Sequence, residues 1–180
     1  LEHNANAGAY AHMWDLKDAY RDDILVYIAA GQGIGAGIVM DGKIYKGALG
    51  TSGEIGHMTI DRNGKPCACG NKGCLERYAA SLELVRAVYG GQAGRAGCNF
   101  EDVERRIREG DQFCMDCYQR ACENLGIGII HIVNVINPDI IIIGDDQPRP
   151  DPQRQGAEHR DTGQAGIQAD EREGLRTSIS

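Results

Sequence analysis

The chain has 180 residues, of which 42% are hydrophobic and 25% charged, and its formal net charge is −7. This length and apolar content suit one domain, or two small lobes, with a real hydrophobic core. The negative charge argues against nucleic-acid binding by this segment's own surface. No apolar run reaches the roughly 18 residues of a membrane span. The 7 cysteines favour a reducing cytoplasm over a disulfide scaffold.

Both ends of the chain carry information about its organisation. The sequence begins at Leu1 without a methionine, so we expect it to be part of a longer polypeptide. After residue 146 the sequence becomes polar, rich in Gly, Gln and Arg, and nearly free of large apolar residues. This composition predicts a disordered tail over residues 147–180, and a shifted reading frame would produce a similar one. We therefore place a single domain at residues 1–146.

Periodicity and turn residues predict an α/β fold. In chain order, the predicted elements are a helix of small residues at 5–16, strands at 23–30, 36–40 and 43–45, and helices at 80–89, 100–109 and 112–136. Asp41-Gly42 is a hairpin signal between the second and third strands. Asp111 is expected to cap the last helix and Pro138 to end it. The isoleucine run at 139–144 predicts a fully buried strand in the middle of the sheet.

Four side chains with metal-binding atoms lie between residues 57 and 74. Three thiols and one imidazole form the ligand set of a closed tetrahedral zinc site, which leaves no open position for catalysis. Such a structural zinc would order a loop with little core of its own, through a binding energy of roughly 10–16 kcal/mol. Buried thiols beside an unrelated histidine are the plainer alternative. The candidate ligands are His57, Cys67, Cys69 and Cys74.

Two carboxylates, Glu54 and Glu76, bracket this metal set. Carboxylates accept hydrogen bonds from sugar hydroxyls, and an imidazole with one nitrogen on zinc can present the other to a polyol. Solvated loop acids are the ordinary alternative for such glutamates. Because a metal would also fix where the two acids point, the loop at 53–77 predicts a polar ligand site.

Glycines alternate at Gly33, Gly35 and Gly37 between two predicted strands. Alternating glycines allow backbone N–H groups to approach a phosphate. A tight hairpin explains the same pattern. The segment is not a dinucleotide fingerprint, because a strand rather than a helix is predicted to follow it.

These motifs together resemble the ROK family, which comprises bacterial repressors, open reading frames of unknown role and sugar kinases. The resemblance covers about residues 2–146 and rests on residues 33–38, 53–57 and 67–76. The last segment, Cys-Ala-Cys-Gly-Asn-Lys-Gly-Cys-Leu-Glu, is the most specific of the three. The resemblance implies an actin-like ATPase/sugar-kinase (ribonuclease H-like) fold, with this chain as the C-terminal lobe carrying an inserted zinc loop.

The resemblance also implies roles for individual residues. It implies zinc on the four ligands named above and sugar hydroxyls held by Glu54, His57 and Glu76, with Asn4 at the same site. ROK kinases carry Asn-Asp-x-Asn where this chain reads His-Asn-Ala-Asn at residues 3–6. Their aspartate takes the proton from the attacking hydroxyl, and Asn4 cannot accept it. We therefore expect no catalytic residue at this position.

Two further departures point away from catalysis. Kinases of the family usually show a Gly-Gly pair after the last strand, where adenosine packs, whereas this chain has Gly144-Asp145-Asp146. Gln32 stands where those kinases usually have threonine. Residues 5–10 and 143–145 instead resemble the repressor branch, in particular xylose-repressor-like and N-acetylglucosamine-repressor-like members.

The sequence therefore favours the effector-binding part of a cytoplasmic ROK-type transcriptional repressor. We expect it to bind a monosaccharide of the xylose, glucose or N-acetylglucosamine class and to form a homodimer. Operator DNA would be contacted only by an N-terminal module outside this chain, and no membrane is involved. The alternative is a ROK sugar kinase of the glucokinase or fructokinase type, which would use ATP and Mg²⁺. A bare structural zinc module is a third hypothesis.

Overall fold

A four-stranded sheet with helices on both faces forms the part of the chain that the computed structural model describes, residues 4–16 and 23–144. The elements within these residues are α1 (Asn4–Leu16), β1 (Leu25–Ala30), β2 (Ile34–Met40), β3 (Lys43–Ile44), α2 (Glu76–Ala79), α3 (Ser81–Tyr89), α4 (Phe100–Arg108), α5 (Gln112–Ile136) and β4 (Ile140–Gly144). Single 3₁₀ turns occur at Ile55–His57 and Gly90–Gln92. The predicted helices and strands are confirmed within these residues, with ends shifted by at most a few positions.

The strand order is β3-β2-β1-β4. β1 pairs antiparallel with β2, from Leu25 opposite Val39 onward, and parallel with β4. The turn between β2 and β3 has positive φ at both central residues, 52° at Asp41 and 66° at Gly42. Two consecutive positive φ angles define the type I′ turn whose twist matches that of a hairpin. The predicted hairpin is therefore confirmed.

The position of β4 differs from the prediction. We expected this strand to be fully buried in the middle of the sheet, but it lies at one end of the described strand order and its residues are only partly buried. Ile143 is 54% exposed. A continuous apolar run predicts burial of both faces of a strand. It carries no information about how many strands lie beside it, which is why this prediction was wrong.

Side chains of β1 alternate between two separate hydrophobic clusters. Leu25, Tyr27 and Ala29 pack on one face of the sheet beneath α1. Val26 and Ile28 pack on the opposite face with residues of α5 and of the loop that precedes α2. Both faces of β1 are thus covered, and because it pairs with β2 at one edge and β4 at the other, it is an inner strand.

Small residues let α1 lie very close to the sheet. A Cβ atom at Gly37 would lie 2.3 Å from the carbonyl oxygen of Ala5. A Cβ atom at Gly8 would lie 2.3 Å from the ring of Tyr27. Neither separation is sterically possible, so glycine is required at both positions. The small residues of the predicted helix thus explain why α1 can lie so close to the sheet.

A third cluster joins α3, α4 and α5. It includes Cys114 and Cys117, which are buried at the start of α5, whereas Cys122 is exposed. Cys114 and Cys117 are therefore packing residues of this cluster. Asp111 accepts a hydrogen bond from the Cys114 N–H and caps α5. Asn137 ends the helix in the left-handed conformation, directly before Pro138.

Candidate functional site

Four metal-binding side chains converge beside the edge of β2. The ligand atoms of His57, Cys67, Cys69 and Cys74 all lie within 4.8 Å of one another. The Sγ atoms of Cys69 and Cys74 are 3.6 Å apart, and Cys67 Sγ is 3.7 Å from His57 Nδ1. In a tetrahedral zinc site two sulfurs are about 3.8 Å apart, and a sulfur and a nitrogen about 3.6 Å apart. The donor set and these two separations therefore fit a tetrahedrally coordinated zinc ion.

Two glycines, Gly53 and Gly56, allow the segment that carries His57 to lie against β2. The Ala36 N–H donates to the Gly53 carbonyl across 2.7 Å. A Cβ atom at Gly53 would lie 1.9 Å from the Ala36 carbonyl oxygen, and one at Gly56 would lie 2.2 Å from that of Ile34. The 3₁₀ turn that ends at His57 can approach the strand only because both residues lack side chains.

The cysteine loop, residues 64–74, is closed by backbone hydrogen bonds. The Cys67 N–H donates to the Asn71 carbonyl across 2.8 Å, and the Gly70 N–H donates to the Cys67 carbonyl across 3.1 Å. Gly70 has a φ of 91°, and Gly73 has a φ of 69°. These left-handed residues reverse the chain twice, which returns Cys74 to the side of Cys67 and Cys69.

The three thiols have different environments. Burial, together with the neighbouring thiols, raises the pKa of Cys74 to about 12. The backbone N–H of Asn71 lowers the pKa of the exposed Cys69 thiol from its ordinary value. The structure thus provides one fully buried thiol and one accessible thiol, 3.6 Å apart between their sulfurs. A bound cation would favour the thiolate form of both.

Glu76 connects this Cys/His group to the turn between β1 and β2. Its Oε1 lies 3.1 Å from Cys67 Sγ and 3.5 Å from His57 Nδ1. Its Oε2 is 4.0 Å from where a Cβ atom at Gly33 would lie. Glu76 begins α2 and is only partly exposed. The carboxylate therefore lies between the Cys/His group and the β1–β2 turn.

Glu54 and Asn4 are both exposed, on different elements. Glu54 immediately precedes the 3₁₀ turn that carries His57. Asn4 begins α1, which packs on the face of the sheet opposite Leu75 and Ile55. The structure thus brings Glu76 and the Cys/His group together, and Glu54 is the N-cap residue of the 3₁₀ turn that ends at His57. A part for Asn4 in the same site stays a prediction.

The glycine-rich segment differs from the predicted loop. Gly33 lies in the turn before β2 and Gly37 lies in the strand, as predicted at 36–40, but Gly35 is also a buried residue of that strand. Because the Ala36 N–H points to Gly53, the N–H groups of Gly35 and Gly37 point the other way, toward β1. These two N–H groups therefore face the neighbouring strand of the sheet rather than a ligand. Gly37 is explained by the close approach of α1 rather than by a phosphate.

Some predictions concern residues that lie outside the described part of the chain. These are His3, Asp145, Asp146 and the tail at 147–180. Gly144 is described: a Cβ atom there would lie 2.2 Å from the Tyr27 hydroxyl. Gln32 is exposed in the turn before β2.

The sequence did not single out two pairs of residues beside the site. One pair attaches the cysteine loop to α2, and the other attaches α2 to α3. Tyr78 accepts a hydrogen bond from the Lys65 N–H across 2.7 Å. Glu83 is 7% exposed and pairs with Arg77 across 2.7 Å. The one available signal was the position of Lys65, two residues before the first loop cysteine. The two members of these pairs are thirteen and six positions apart, and such pairings are not visible in a local pattern.

The protein has an α/β fold with a Cys₃His group and an adjoining carboxylate. Comparison with known sequences shows to which family such a chain belongs. The model of the ROK family matches residues 1–147, so the chain belongs to the ROK family. Within the described residues, no helix has the length and apolar character needed to cross a membrane.

Relatives of the chain include both repressors and kinases. The chain is 34% identical over 155 residues to the xylose repressor of Caldicellulosiruptor bescii, which covers 80% of this chain and 39% of the repressor. It is 32% identical over 139 residues to the N-acetylglucosamine repressor of Escherichia coli, covering 73% and 34%. It is 31% identical over 158 residues to a glucokinase of Halalkalibacterium halodurans, covering 80% and 47%. The chain thus spans less than half the length of each relative.

The solved structures similar to this chain also include both a kinase and a regulator. A ROK hexokinase from Thermus thermophilus superposes with a TM-score of 0.69 and 32% identity, covering 81% of this chain and 49% of that one. A ROK family transcriptional regulator, a homologue of the E. coli MLC protein, superposes with a TM-score of 0.66 and 35% identity, covering 79% and 38%. The chain therefore has the actin-like α/β fold of the ROK sugar kinases.

Proposed function

We propose that this chain is the sugar-binding part of a ROK-type transcriptional repressor, with a zinc-ordered loop at residues 53–77. The proposal treats residues 1–146 as the C-terminal lobe of the ROK body. It assigns operator binding to an N-terminal module outside this chain and dimerisation to the intact protein. The similarity to the xylose and N-acetylglucosamine repressors supports the regulator assignment.

The observation that carries the proposal is the position of Glu76. Its Oε1 contacts two of the four metal-binding side chains, across 3.1 Å and 3.5 Å. A carboxylate so placed is oriented by the same loop that the metal would order. Zinc on His57, Cys67, Cys69 and Cys74 would supply structural order. With Nδ1 of His57 directed toward the thiols, Nε2 and the second oxygen of Glu76 remain to bind sugar hydroxyls, together with Glu54 and Asn4.

Binding of a sugar can regulate DNA binding only if the sugar has a higher affinity for one of the two arrangements of the repressor. The cysteine loop suits this role, because it joins the ligand side chains to α2 and hence to the core beneath that helix. An effector that reorients Glu76 would therefore act on the packing of α2.

The test is calorimetry of the full-length protein with xylose, glucose and N-acetylglucosamine, followed by operator release with each sugar. We expect one sugar to bind and to release the operator. The Glu76→Gln variant keeps the size of the side chain and removes its charge, so we expect weaker sugar binding with retained zinc. A protein that stays on its operator with every sugar would exclude the proposed role.

A kinase is the second candidate, because the chain is also similar to a glucokinase. The sequence at Asn4 argues against it, since an amide cannot accept the proton of the attacking hydroxyl. We expect no ADP release from ATP, Mg²⁺ and the sugar that binds in calorimetry. The matched variant is Asn4→Asp, which restores a proton acceptor. Turnover by the protein with Asn4 in place would show that the assignment to the regulators is wrong.

A further inference from the structure

The cysteine loop is attached to α2 at a point away from the metal-binding atoms. The backbone N–H of Lys65 donates to the hydroxyl of Tyr78 across 2.7 Å, and the Lys65 ammonium donates to the Arg77 carbonyl across 3.0 Å. The same ammonium lies 4.9 Å from the centre of the Tyr78 ring. Lys65 therefore has three contacts with two consecutive residues of α2.

Gly64 makes room for this attachment. A Cβ atom on Gly64 would lie only 2.0 Å from the Tyr78 hydroxyl oxygen. The backbone of Gly64 is outside the left-handed region, so an alanine would meet no conformational strain there. The same Cβ would lie 2.9 Å from Asp61 Oδ2, so its tightest contact is with the hydroxyl that binds Lys65 and its second is with the Asp61 carboxylate.

A buried carboxylate of α3 also fixes α2. Glu83 of α3 is 7% exposed and pairs with Arg77 across 2.7 Å, and also with Arg86. The Lys65 ammonium lies 3.9 Å from the same carboxylate. A buried charge is tolerated only when it is paired in this way. Arg77, which directly precedes Tyr78, is therefore held against α3.

We propose that Tyr78 is a positioning residue for the metal-binding loop. Its hydroxyl fixes Lys65, two residues before Cys67, while α2 carries Glu76 two residues before Tyr78. The arm of the loop that leads to Cys67 is thereby held beside α2 before any cation binds. The inference rests on the proposed zinc site and adds to it a residue that binds neither metal nor sugar.

The physical basis is the cost of ordering the loop. The free energy of metal binding is reduced by whatever must be spent to bring the ligands together. A loop whose first arm is already fixed to α2 has less conformational entropy to lose. Removing that attachment should therefore weaken metal affinity while all four ligands remain present.

The first variant is Tyr78→Phe, which deletes the hydroxyl and keeps the ring that lies under Lys65. We expect the zinc affinity of the full chain, measured by competition with a chromophoric chelator, to fall about tenfold. This is the low end of the loss seen when outer contacts of metal ligands are removed. The matched control is Tyr89→Phe, which deletes a tyrosine hydroxyl that donates to Asp102 on α4. Its zinc affinity should equal that of the wild type.

The second variant is Gly64→Ala, which displaces the Tyr78 hydroxyl without altering the tyrosine and only slightly crowds Asp61 Oδ2, 2.9 Å from the added Cβ. We expect the same direction of change, and we expect the double variant to be no weaker than the worse single variant, because both remove one interaction. Thermal unfolding of the metal-free proteins shows that each variant folds.

The outcomes separate this inference from the proposal on which it rests. A wild-type chain that fails to bind zinc excludes the proposed metal site itself. A wild-type chain that binds zinc, with Tyr78→Phe and Gly64→Ala unchanged in affinity, excludes only the positioning role. Equal losses in Tyr78→Phe and Tyr89→Phe would show a general effect of stability and would also overturn it.

Discussion

At the scale of single residues, glycine determines where the site can form. Gly53 and Gly56 allow the His57 segment to touch β2, and Gly73 allows the cysteine loop to cross residue 61. Gly73 and Gly70 are both left-handed, with φ of 69° and 91°. They differ in their surroundings, because a Cβ on Gly73 would lie 1.6 Å from the Asp61 carbonyl oxygen whereas one on Gly70 would meet nothing within 4 Å.

This difference makes Gly73→Ala and Gly70→Ala a matched pair. Gly70→Ala should cost only the left-handed backbone penalty, about 1–2 kcal/mol in the free energy of unfolding. Gly73→Ala should cost more and should weaken zinc binding, since the backbone at Asp61 has to move. Denaturant unfolding and chelator competition measure the two effects. Equal losses for both variants would contradict the steric account.

At the scale of elements, one carboxylate joins α4 to α5. Asp111 accepts a hydrogen bond from the Cys114 N–H at the start of α5 and pairs with Arg106 of α4 across 2.6 Å. The hydrogen bond from the Cys114 N–H, and then the Arg106 guanidinium, lower the pKa of Asp111 from its ordinary value. Both interactions are stronger with the ionised carboxylate than with the protonated one, so folding favours its deprotonated form.

The sign of the pH dependence follows from that lowered pKa. The contribution of Asp111 to stability is fully present above the pKa of the unfolded chain, about 3.9, and is lost as the pH falls through the lower pKa of the folded chain. We expect Asp111→Asn, which keeps a capping oxygen, to be less stable than the wild type at pH 7. The difference should shrink as the pH falls below about 4. Unfolding curves at pH 7 and pH 3 measure it, and a constant difference would refute this role.

At the scale of the whole molecule, the hydrophobic clusters and the cysteine loop are stabilised in different ways. β1 is buried between two apolar clusters, one on each face of the sheet. Among residues 64–72 of the cysteine loop, by contrast, Cys67 is the single buried residue. The loop therefore depends on its backbone hydrogen bonds, on Lys65 and on the proposed metal rather than on a core of its own.

Removal of the metal should consequently have a local effect. We expect chelation to abolish hydrogen-exchange protection of the Cys67, Gly70 and Gly73 amides, which donate within the loop. Amides of β1 should keep their protection, because their cluster partners stay in place. Re-addition of zinc serves as the control. Loop amides that exchange at the same rate with and without chelator would contradict a metal-ordered loop.

Much of the fold was predictable because it depends on local chemistry. The apolar runs identified β1 and β2, Asp41-Gly42 identified the hairpin, and Asp111 with Pro138 delimited the longest helix. The spacing of His57, Cys67, Cys69 and Cys74 also predicted their convergence. Turns, caps and short chelate loops are set by residues within a few positions of one another, so a sequence pattern is enough.

Other features depended on contacts between distant residues. A run of isoleucines predicted that β4 is buried, and only the strand order showed it at one end of the described sheet. Alternating glycines left a phosphate-contacting loop and a tight hairpin both open, and only the packing of α1 explained Gly37. The sequence by itself determined the elements and the metal-binding set. Tertiary structure alone decided that Glu76 touches that set and that Tyr78 fixes Lys65, because those contacts depend on how separate segments meet.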